Sequence, residues 1–505
     1  MLSVFETPPL PPCPREFNLA GYVLGHANDR PDKIALQIVR PSGAERWSYA
    51  RLNAAVLGAA AGLLGLGLTP GDRVLLRLGN TIEFPIAFLG AIAAGLIPVP
   101  TSTQLTSPEL EWISTEIRPR LIVAGAGIPL PENRDCHVIS EAELRAFENL
   151  PPAIPVLGDP ERPAYIIYTS GSSGQPRAVV HAHRAVWARR MMWDGWYGLR
   201  ESDRLLHAGA FNWTYTLGTG LMDPWAVGAT ALIPGAGVTS DQLFLLLKRF
   251  DATIFAAAPG VYRQMLKRGD RVDLPRLRHG LAAGEKLSEA TRAAWEGATG
   301  TLICEALGMS ECSTFVSASP AHPAPEGAIG YPQEGRHVAV LDESGAPVAH
   351  GEPGVLAVHR SDPGLFLGYL DNEAETKSRF RGDWFVTGDM VSMAEDGAIT
   401  YLGRNDDMMN AGGYRVSPLE VEAAMHACPD AGDVAAIEAR LKQDVSVIAL
   451  FHTGPATEEA LKAHAEDRLA RYKQPRLYIR REALPLGANG KVNRRKLREE
   501  WEAGL

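Results

Sequence analysis

Two hydrophobic spacings alternate along the first part of the chain, one typical of strands and one typical of helices. Short β-prone apolar runs predict strands over 34–38, 73–77 and 97–99. Longer stretches with helical spacing predict helices over 49–64 and 83–94. Strands that alternate with helices of this length favour parallel sheets covered by helices on both faces. The predicted fold class is therefore α/β.

The same alternation continues further along the chain. Residues 164–167 form another β-prone run, and 253–266 read as a strand followed by a helix. Residues 181–193 are predicted to be helical and include His181 and His183. A histidine on such a helix usually packs or caps, so we assign neither residue a chemical role.

Length and charge restrict the possible architecture and partners. A chain of 505 residues is too long for a single core, so two or more domains are expected. The formal net charge is -9 at pH 7, which leaves no general basic field for a nucleic acid. Nucleic acid is therefore not an expected partner.

The cysteines favour a reducing compartment, and the lengths of the apolar runs argue against a membrane span. The five cysteines show no close paired spacing, so neither a disulfide framework nor a zinc site is indicated. The first residues lack the pattern of a signal peptide. The longest apolar runs, 54–68 and 84–99, are shorter than the roughly 20 residues of a spanning helix. We expect a cytoplasmic protein without a membrane span, and both a monomer and a homodimer remain open.

The strongest chemical signal is the run Tyr-Thr-Ser-Gly-Ser-Ser-Gly-Gln-Pro-Arg from Tyr168 to Arg177. Glycines and hydroxyl residues let the backbone curl and direct N–H and hydroxyl groups at one anion, and Arg177 adds a positive charge. A Ser/Gly surface turn is the alternative, but apolar segments flank the run on both sides. The run predicts a phosphate-binding loop made of Thr169, Ser170, Gly171, Ser172, Ser173, Gly174 and Arg177.

This run resembles the phosphate loop of the adenylate-forming superfamily, which contains acyl- and aryl-CoA ligases, luciferases and adenylation domains. Arg177 stands where that family usually has lysine, which keeps the charge and changes the geometry. The resemblance implies a large N-terminal domain over 1–404, with parallel and mixed sheets flanked by helices and a β-barrel-like subdomain. It also implies a small, mobile α+β C-terminal domain over 405–505, with Asp406 at the hinge.

Two further strings match the superfamily in the expected order. Ala-Ala-Gly-Glu-Lys over 282–286 resembles the loop beside adenine, where glycine permits the close approach of a flat ring. The string that ends at Glu311 resembles the segment whose final glutamate holds Mg²⁺ on ATP, and a hard cation prefers such an anionic oxygen. The implied nucleotide-binding residues are Gly284, Glu285, Lys286, Ala306, Leu307, Gly308, Met309 and Ser310.

The acid pocket is implied by the same resemblance. Trp213 matches the aromatic residue that borders the acyl pocket and the tunnel for the thiol arm of CoA. Leu307 stands where many relatives have an aromatic residue that stacks on adenine, and benzoate-CoA ligases are similar in having an aliphatic residue there. This favours a ring-shaped acid. The implied pocket residues are Trp213, Ala256, Ala258, Ala282 and Leu307.

The C-terminal strings complete the implied site. Asp389 is implied to accept hydrogen bonds from both ribose hydroxyls, and Arg404 to bind the ribose or a phosphate. Lys491, presented by the turn at Gly490, matches the lysine that bridges the carboxylate and the α-phosphate during adenylation. The implied catalytic residues are Lys491, Arg404 and Asp406, and the residues implied to meet the CoA arm are Gly412, Gly413 and Arg415.

The predicted function is ATP-dependent activation of an aryl, alicyclic or medium-chain acid through an acyl-adenylate to its CoA thioester. ATP, Mg²⁺ and CoA are the expected cofactors and co-substrate, and benzoate-CoA ligases are the members closest in character. An enzyme that loads a carrier protein and a nucleotide-binding regulator without turnover are the alternatives. The segment from Pro485 to Lys491 also resembles the setting in which acyl-CoA ligases are switched off by lysine acetylation.

Overall fold

Apolar runs of the predicted lengths form strands and helices in the computed structural model. It describes residues 1–132, 134–169, 176–268, 271–405, 407–411, 414–442, 445–469, 471, 473–487 and 491–504. The chain divides into two compact units. The larger unit comprises Phe5–His337 and Val358–Phe385, and the smaller unit comprises Met1–Val4, Val338–Ala357 and Val386–Leu505. The predicted boundary after residue 404 falls within the smaller unit and stays a prediction.

The α-helices vary widely in length. They are α1 Leu19–Val23, α2 Tyr49–Gly65, α3 Glu83–Ala93, α4 Ser107–Ile117, α5 Glu141–Ala146, α6 Ala185–Ala188, α7 Asp223–Val227, α8 Leu243–Arg249, α9 Pro259–Met265, α10 Glu289–Thr299, α11 Glu373–Ser378, α12 Pro418–His426, α13 Glu458–Arg468 and α14 Arg494–Glu502. Trp193–Tyr197 and Thr216–Met222 are π-helical. No helix in the described ranges is both long and apolar enough to cross a bilayer.

The strands are mostly short and apolar. They are β1 Val4–Glu6, β2 Ile34–Arg40, β3 Gly43–Ser48, β4 Arg73–Arg77, β5 Ile97–Pro100, β6 Leu121–Ala124, β7 His137–Ser140, β8 Pro163–Thr169, β9 Arg177–Ala182, β10 Arg204–His207, β11 Thr230–Pro234, β12 Ile254–Ala257, β13 His279–Ala283, β14 Ile303–Met309, β15 Ser313–Ser317, β16 Tyr331–Pro332, β17 His337–Leu341, β18 Gly354–His359, β19 Gly368–Tyr369, β20 Phe380–Arg381, β21 Trp384–Met393, β22 Ile399–Arg404, β23 Met409–Ala411, β24 Tyr414–Val416, β25 Val434–Lys442, β26 Val445–His452 and β27 Leu477–Arg480.

A nine-stranded sheet organises the larger unit. Its order is β16-β15-β14-β13-β12-β10-β11-β2-β3, and the neighbouring strands from β14 to β2 are parallel. These strands are buried along nearly their whole length, as continuous apolar runs predict. The carboxyl ends of the parallel strands meet at one edge, which is where open α/β sheets bind ligands.

A second, four-stranded sheet has the order β5-β4-β6-β7 and is entirely parallel. Helices α2 and α3 pack against each other in the same core, and a Cβ at Gly90 would lie 2.8 Å from the Ala59 Cβ. A side chain at Gly90 would therefore separate the two helices.

A three-stranded antiparallel sheet, β19-β9-β8, carries the predicted phosphate loop. Strands β8 and β9 pair from Pro163 opposite Ala182 to Thr169 opposite Arg177. The ladder therefore fixes Thr169 and Arg177, the described residues at the two ends of the candidate loop.

The prediction of a helix from residue 181 is wrong at its start. Strand β9 extends to Ala182, where His181 pairs with Tyr165, and α6 spans only Ala185–Ala188. Tertiary pairing decides this segment, because β9 has β8 on one side and β19 on the other. By contrast, the predicted strand over 73–77 and helix over 49–64 agree with β4 and α2.

The smaller unit ends in an α+β arrangement. Strands β25, β26 and β27 form one sheet, and β23 pairs with β24 in a short hairpin. A six-stranded sheet has the order β1-β17-β18-β21-β20, with β22 also paired to β21. The β21–β22 pairing brings the predicted ribose-binding residues together.

Candidate active site

Arg177 is held at the exit of the β8–β9 hairpin. Its guanidinium lies 5.4 Å from the centre of the Tyr369 ring, and its Nη2 is 2.7 Å from Glu375 Oε1. Tyr369 is in β19 and Glu375 in α11, so elements far along the chain fix this cation. The other predicted loop residues, Ser170, Gly171, Ser172, Ser173 and Gly174, lie outside the described residues.

Glu311 is buried and held from two directions. The Tyr369 hydroxyl donates to Glu311 Oε1 at 2.7 Å, and the Phe366 N–H donates to the Glu311 carbonyl oxygen at 2.7 Å. Burial, together with the charge of Glu311, raises the pKa of Tyr369, so its hydroxyl remains a donor at neutral pH. Tyr369 thus links the predicted metal ligand to Arg177.

The turn that presents Glu311 needs glycine at position 308. Strands β14 and β15 shift register between Leu307 and Gly308, and a Cβ at Gly308 would overlap the Ser313 carbonyl. The two strands therefore approach so closely that only glycine fits. The predicted residues Ala306 to Met309 lie in β14, and Ser310 follows directly.

His181 and His183 are interior packing residues, as predicted. His181 Nε2 donates to the Ser310 carbonyl at 2.8 Å, and its ring stacks on Tyr165 at 4.8 Å. His183 Nδ1 accepts the Leu19 N–H at 3.0 Å. Burial lowers the pKa of His181 to about 4 and that of His183 to about 3, so both rings are neutral.

Trp213 lies against Gly284, which brings two predicted site residues together. Gly284 has φ +97°, and a Cβ there would lie 2.8 Å from Trp213 Cζ2. Glycine therefore serves both the backbone conformation and the close approach of the indole. The predicted adenine loop and the predicted acyl pocket are adjacent at this point.

The side chains of Glu285 and Lys286 contact protein groups. Glu285 Oε1 accepts the Gly260 N–H at 2.8 Å in the first turn of α9. Lys286 Nζ lies 3.4 Å from Glu305 Oε2. The nucleotide-binding roles predicted for these two residues stay predictions.

The sequence motifs did not identify the ionic cluster around Glu305. This carboxylate accepts the Leu287 N–H at 2.8 Å and an Arg292 N–H at 3.0 Å, besides its contact with Lys286. Burial raises the pKa of Glu305, and the two cations oppose that effect. The cluster ties the segment after β13 to α10 and β14.

A cluster of aromatic and small residues packs on one face of the nine-stranded sheet. Trp213 packs edge to face on Tyr215 at 5.2 Å, and the Tyr215 hydroxyl donates to the Leu281 carbonyl at 3.1 Å. Ala256 and Ala283 belong to the same apolar cluster. The cluster contains two of the predicted acid-pocket residues, Trp213 and Ala256, and their role as pocket walls stays a prediction.

Ala282 and Ala258 differ from Ala256 in their surroundings. Because side chains alternate along a strand, Ala282 packs in another cluster, with Ala257 and Trp295. Ala258 and Leu307 are half-buried. Trp213 and Ala256 therefore lie in one cluster, and Ala282 lies on the opposite face of the sheet.

Asp389 and Arg404 are paired in the smaller unit. They stand opposite each other in β21 and β22, and Arg404 Nη1 lies 3.2 Å from Asp389 Oδ1. The Tyr401 hydroxyl is 3.4 Å from the same oxygen. Burial raises the pKa of Asp389, while Arg404 and Lys491 lower it.

Lys491 is exposed and lies within electrostatic range of Asp389. The Gly487 N–H donates to the Lys491 carbonyl at 2.7 Å, and the Asn493 N–H donates to the Pro485 carbonyl at 2.8 Å. These two bonds hold the Lys491 carbonyl and the backbone at Asn493 against residues 485–487. Asp389, Arg404 and Lys491 lie near one another, and their roles stay predictions. Asp406, Gly412 and Gly413 lie outside the described residues, and Arg415 is placed only as part of β24.

Comparison with known proteins assigns the family. The model of the AMP-binding enzyme family matches residues 25–370, and that of the AMP-binding enzyme C-terminal domain matches 420–491. The benzoate-CoA ligase of Thauera aromatica is 33% identical over 86% of this chain and 86% of its own. The 4-hydroxybenzoate-CoA/benzoate-CoA ligase of Rhodopseudomonas palustris is 30% identical, over 91% of this chain and 90% of its own.

Two solved structures share the fold over nearly the full length. The anthranilate CoA ligase AuaEII in complex with anthranoyl-AMP has a TM-score of 0.87 and 27% identity, with 98% of this chain and 99% of that chain covered. A benzoate CoA ligase from Burkholderia xenovorans has a TM-score of 0.84 and 28% identity, with 95% of this chain and 100% of that chain covered.

The chain belongs to the AMP-binding enzyme family, within the adenylate-forming superfamily of acyl- and aryl-CoA ligases. It is an AMP-forming acid–thiol ligase, which activates a carboxylic acid with ATP as an acyl-adenylate and transfers the acyl group to CoA.

Proposed function

We propose that the acid is aromatic and that its ring binds beside the cluster that contains Trp213, Tyr215 and Ala256. The edge-to-face pair of Trp213 and Tyr215, beside small residues on one sheet face, supports this proposal most directly. Flat aromatic walls favour a flat ring over a flexible chain. The benzoate and anthranilate ligases among the similar proteins point in the same direction.

In the first step, the substrate carboxylate attacks the α-phosphorus of ATP and pyrophosphate leaves. The loop from Thr169 to Gly174 holds the phosphates, and Lys491 bridges the carboxylate and the α-phosphate. These groups position the reactants and stabilise the developing charge, with no covalent enzyme intermediate.

Glu311 is the proposed ligand of Mg²⁺ on ATP. Its carboxylate suits a hard cation, and the Tyr369 hydroxyl orients one of its oxygens. Among the described residues no group of three or more His, Cys, Asp and Glu side chains could hold a metal alone. A site completed by phosphate oxygens fits this arrangement, and the cation there would neutralise phosphate charge.

In the second step, the C-terminal domain turns about Asp406 and withdraws Lys491. Gly412, Gly413 and Arg415 then meet the pantetheine arm, the CoA thiolate attacks the acyl carbonyl, and AMP leaves. Asp389 and Arg404 hold the ribose in both steps.

The test is AMP release with ATP, Mg²⁺ and CoA across acetate, octanoate, benzoate and cyclohexanecarboxylate. We expect kcat/KM for benzoate to exceed that for acetate and octanoate at least about tenfold. Preference for octanoate would overturn the aromatic assignment. Pyrophosphate exchange with benzoate but no CoA thioester would instead indicate loading of a carrier protein.

A further inference from the structure

Glu311 lies in the connection between two antiparallel strands. The last pair of β14 and β15 is Met309 opposite Ser313, so three residues, Ser310, Glu311 and Cys312, join the strands. The Cys312 N–H donates to the Met309 carbonyl at 3.3 Å, which closes the turn. The position of the Glu311 backbone therefore depends on how the two ends of this turn are held.

Ser313, at the exit of the turn, has an unusual backbone conformation. Its φ is +67°, in the left-handed region. Residues other than glycine rarely adopt this conformation, because their Cβ crowds the backbone. Glycine at position 313 would avoid the crowding, so the backbone alone does not account for a serine. Such strained residues cluster at functional sites, where the surrounding structure holds them. The side chain of Ser313 is therefore the feature to explain.

The Ser313 hydroxyl accepts a hydrogen bond from Nη1 of the buried Arg189. Arg189 is itself fixed, because its Nε and Nη2 donate to the two oxygens of Asp223 at 2.8 and 2.6 Å. The Tyr197 hydroxyl donates to the same carboxylate at 2.7 Å. A Cβ at Gly218 would overlap the guanidinium, so backbone packs directly against it. The Arg189–Asp223 pair thus reaches the turn from a fixed position in the interior.

Stability alone is a weak explanation for this arrangement. A buried ion pair adds little net stability, since the desolvation of both charges offsets their attraction. The other end of the turn is also held from the interior, where His181 donates to the Ser310 carbonyl at 2.8 Å. Both neighbours of the Glu311–Cys312 segment are therefore anchored to buried groups.

We propose that Ser313 and Arg189 are positioning residues for the metal ion on ATP. Their hydrogen bond holds the backbone next to Glu311, so that its carboxylate is in place before Mg·ATP binds. The inference rests on the proposed function, in which Glu311 is the Mg²⁺ ligand, and adds two residues that act through Glu311. Loss of a group that supports a metal ligand typically lowers metal affinity roughly 10- to 100-fold.

The experiment measures the dissociation constant of ATP by calorimetry, once with Mg²⁺ and once with EDTA. Acid and CoA are left out, so no reaction occurs. Ser313→Gly and Ser313→Ala both remove the hydroxyl, but only alanine keeps the backbone strain. We expect both variants to lower the enhancement of ATP binding by Mg²⁺ about tenfold. The glycine variant should nevertheless have a higher urea midpoint than the alanine variant, because its backbone is unstrained.

Ser317→Ala is the matched control. Ser317 is a buried serine of the same strand, but its hydroxyl donates to the Gly195 carbonyl at 2.8 Å. The enhancement by Mg²⁺ should be unchanged in this variant. Retention of the natural enhancement in either Ser313 variant would overturn the inference. Glu311→Gln tests the proposed function separately, since an unchanged enhancement in that variant would refute Glu311 as the metal ligand and the inference with it.

Discussion

Tyr369 shows how a single hydroxyl can couple two charged groups that are distant in sequence. It donates to Glu311 and lies under Arg177, so the proposed metal ligand and the cation of the phosphate loop share one support. A carboxylate oriented by a neighbour binds a cation better than one that must be ordered on binding.

Tyr369→Phe should raise the KM for Mg·ATP about tenfold and change the free energy of unfolding by only about 1 kcal/mol. The reason is that the ring and its packing remain while the donor to Glu311 is lost. Steady-state kinetics at varied Mg·ATP would measure this. In a Glu311→Gln background the same change should have little further effect, and full additivity would contradict the coupling.

Lys491→Ala should slow adenylation at least about 100-fold and leave thioester formation from supplied acyl-adenylate nearly intact. The lysine acts only on the charge that develops in the first step. Single-turnover assays of the two half-reactions separate the effects. Lys496→Ala removes another exposed lysine close by and is the control. Equal losses in both half-reactions would exclude the role proposed for Lys491.

At the element scale, α14 anchors the segment that carries Lys491. Arg494 donates to both oxygens of Glu422 in α12, at 3.1 and 2.6 Å, and Glu422 also accepts the Ala436 N–H at 2.8 Å. Arg498 of the same helix donates to Asp407 at 2.9 Å. The helix therefore fixes the chain from Arg494, three residues after Lys491.

Glu422→Gln should lower the free energy of unfolding by about 2 kcal/mol, because it leaves Arg494 largely buried without its full counter-charge. Urea denaturation would measure the loss. Arg495→Ala removes only an exposed pair with Glu499 in the same helix and should stay within about 0.5 kcal/mol. Equal losses in the free energy of unfolding for the two variants would show that the buried pair stabilises the protein no more than the exposed pair does.

Local pattern predicted some elements closely and missed others. Helix α2 and strand β4 have strong apolar periodicity and lie where the sequence places them. The segment at His181 was predicted wrongly, since its strand depends on partners distant in sequence. Contiguous motifs made Glu311 and Lys491 candidate site residues, and their roles stay predictions. No local signal pointed to Tyr369 or to the Glu305 cluster, because their contacts join residues that are distant in sequence.

At the scale of the whole molecule, four buried neutral histidines make the larger unit sensitive to acid. Burial lowers the pKa of each from 6.5, to about 3 or about 4. Below pH 6.5 the unfolded chain therefore takes up protons that the folded chain does not. The free energy of unfolding therefore falls as the pH decreases towards 4. The four histidines are His181, His183, His207 and His279.

When the pH falls from 7.5 to 5, each of these histidines should lower the free energy of unfolding by about 2 kcal/mol. Burial also raises the pKa of Glu305, which acts in the opposite direction because its stabilising effect is lost as the pH rises. Urea unfolding at several pH values would measure how steeply the free energy of unfolding changes with pH. His207→Phe should reduce the proton uptake on unfolding by about one, and an unchanged slope would contradict the assignment.

The pairing of β21 with β22 ends at Arg404, just before the proposed hinge residue. Rotation of the chain after residue 406 would therefore leave the Asp389–Arg404 contact as it is, and the adenylate would stay bound while Lys491 departs. Isotope partitioning tests this consequence. Adenylate formed from labelled acid and then chased with excess unlabelled acid, ATP and CoA should yield mainly labelled thioester. Extensive dilution of the label would mean that the intermediate escapes between the two steps.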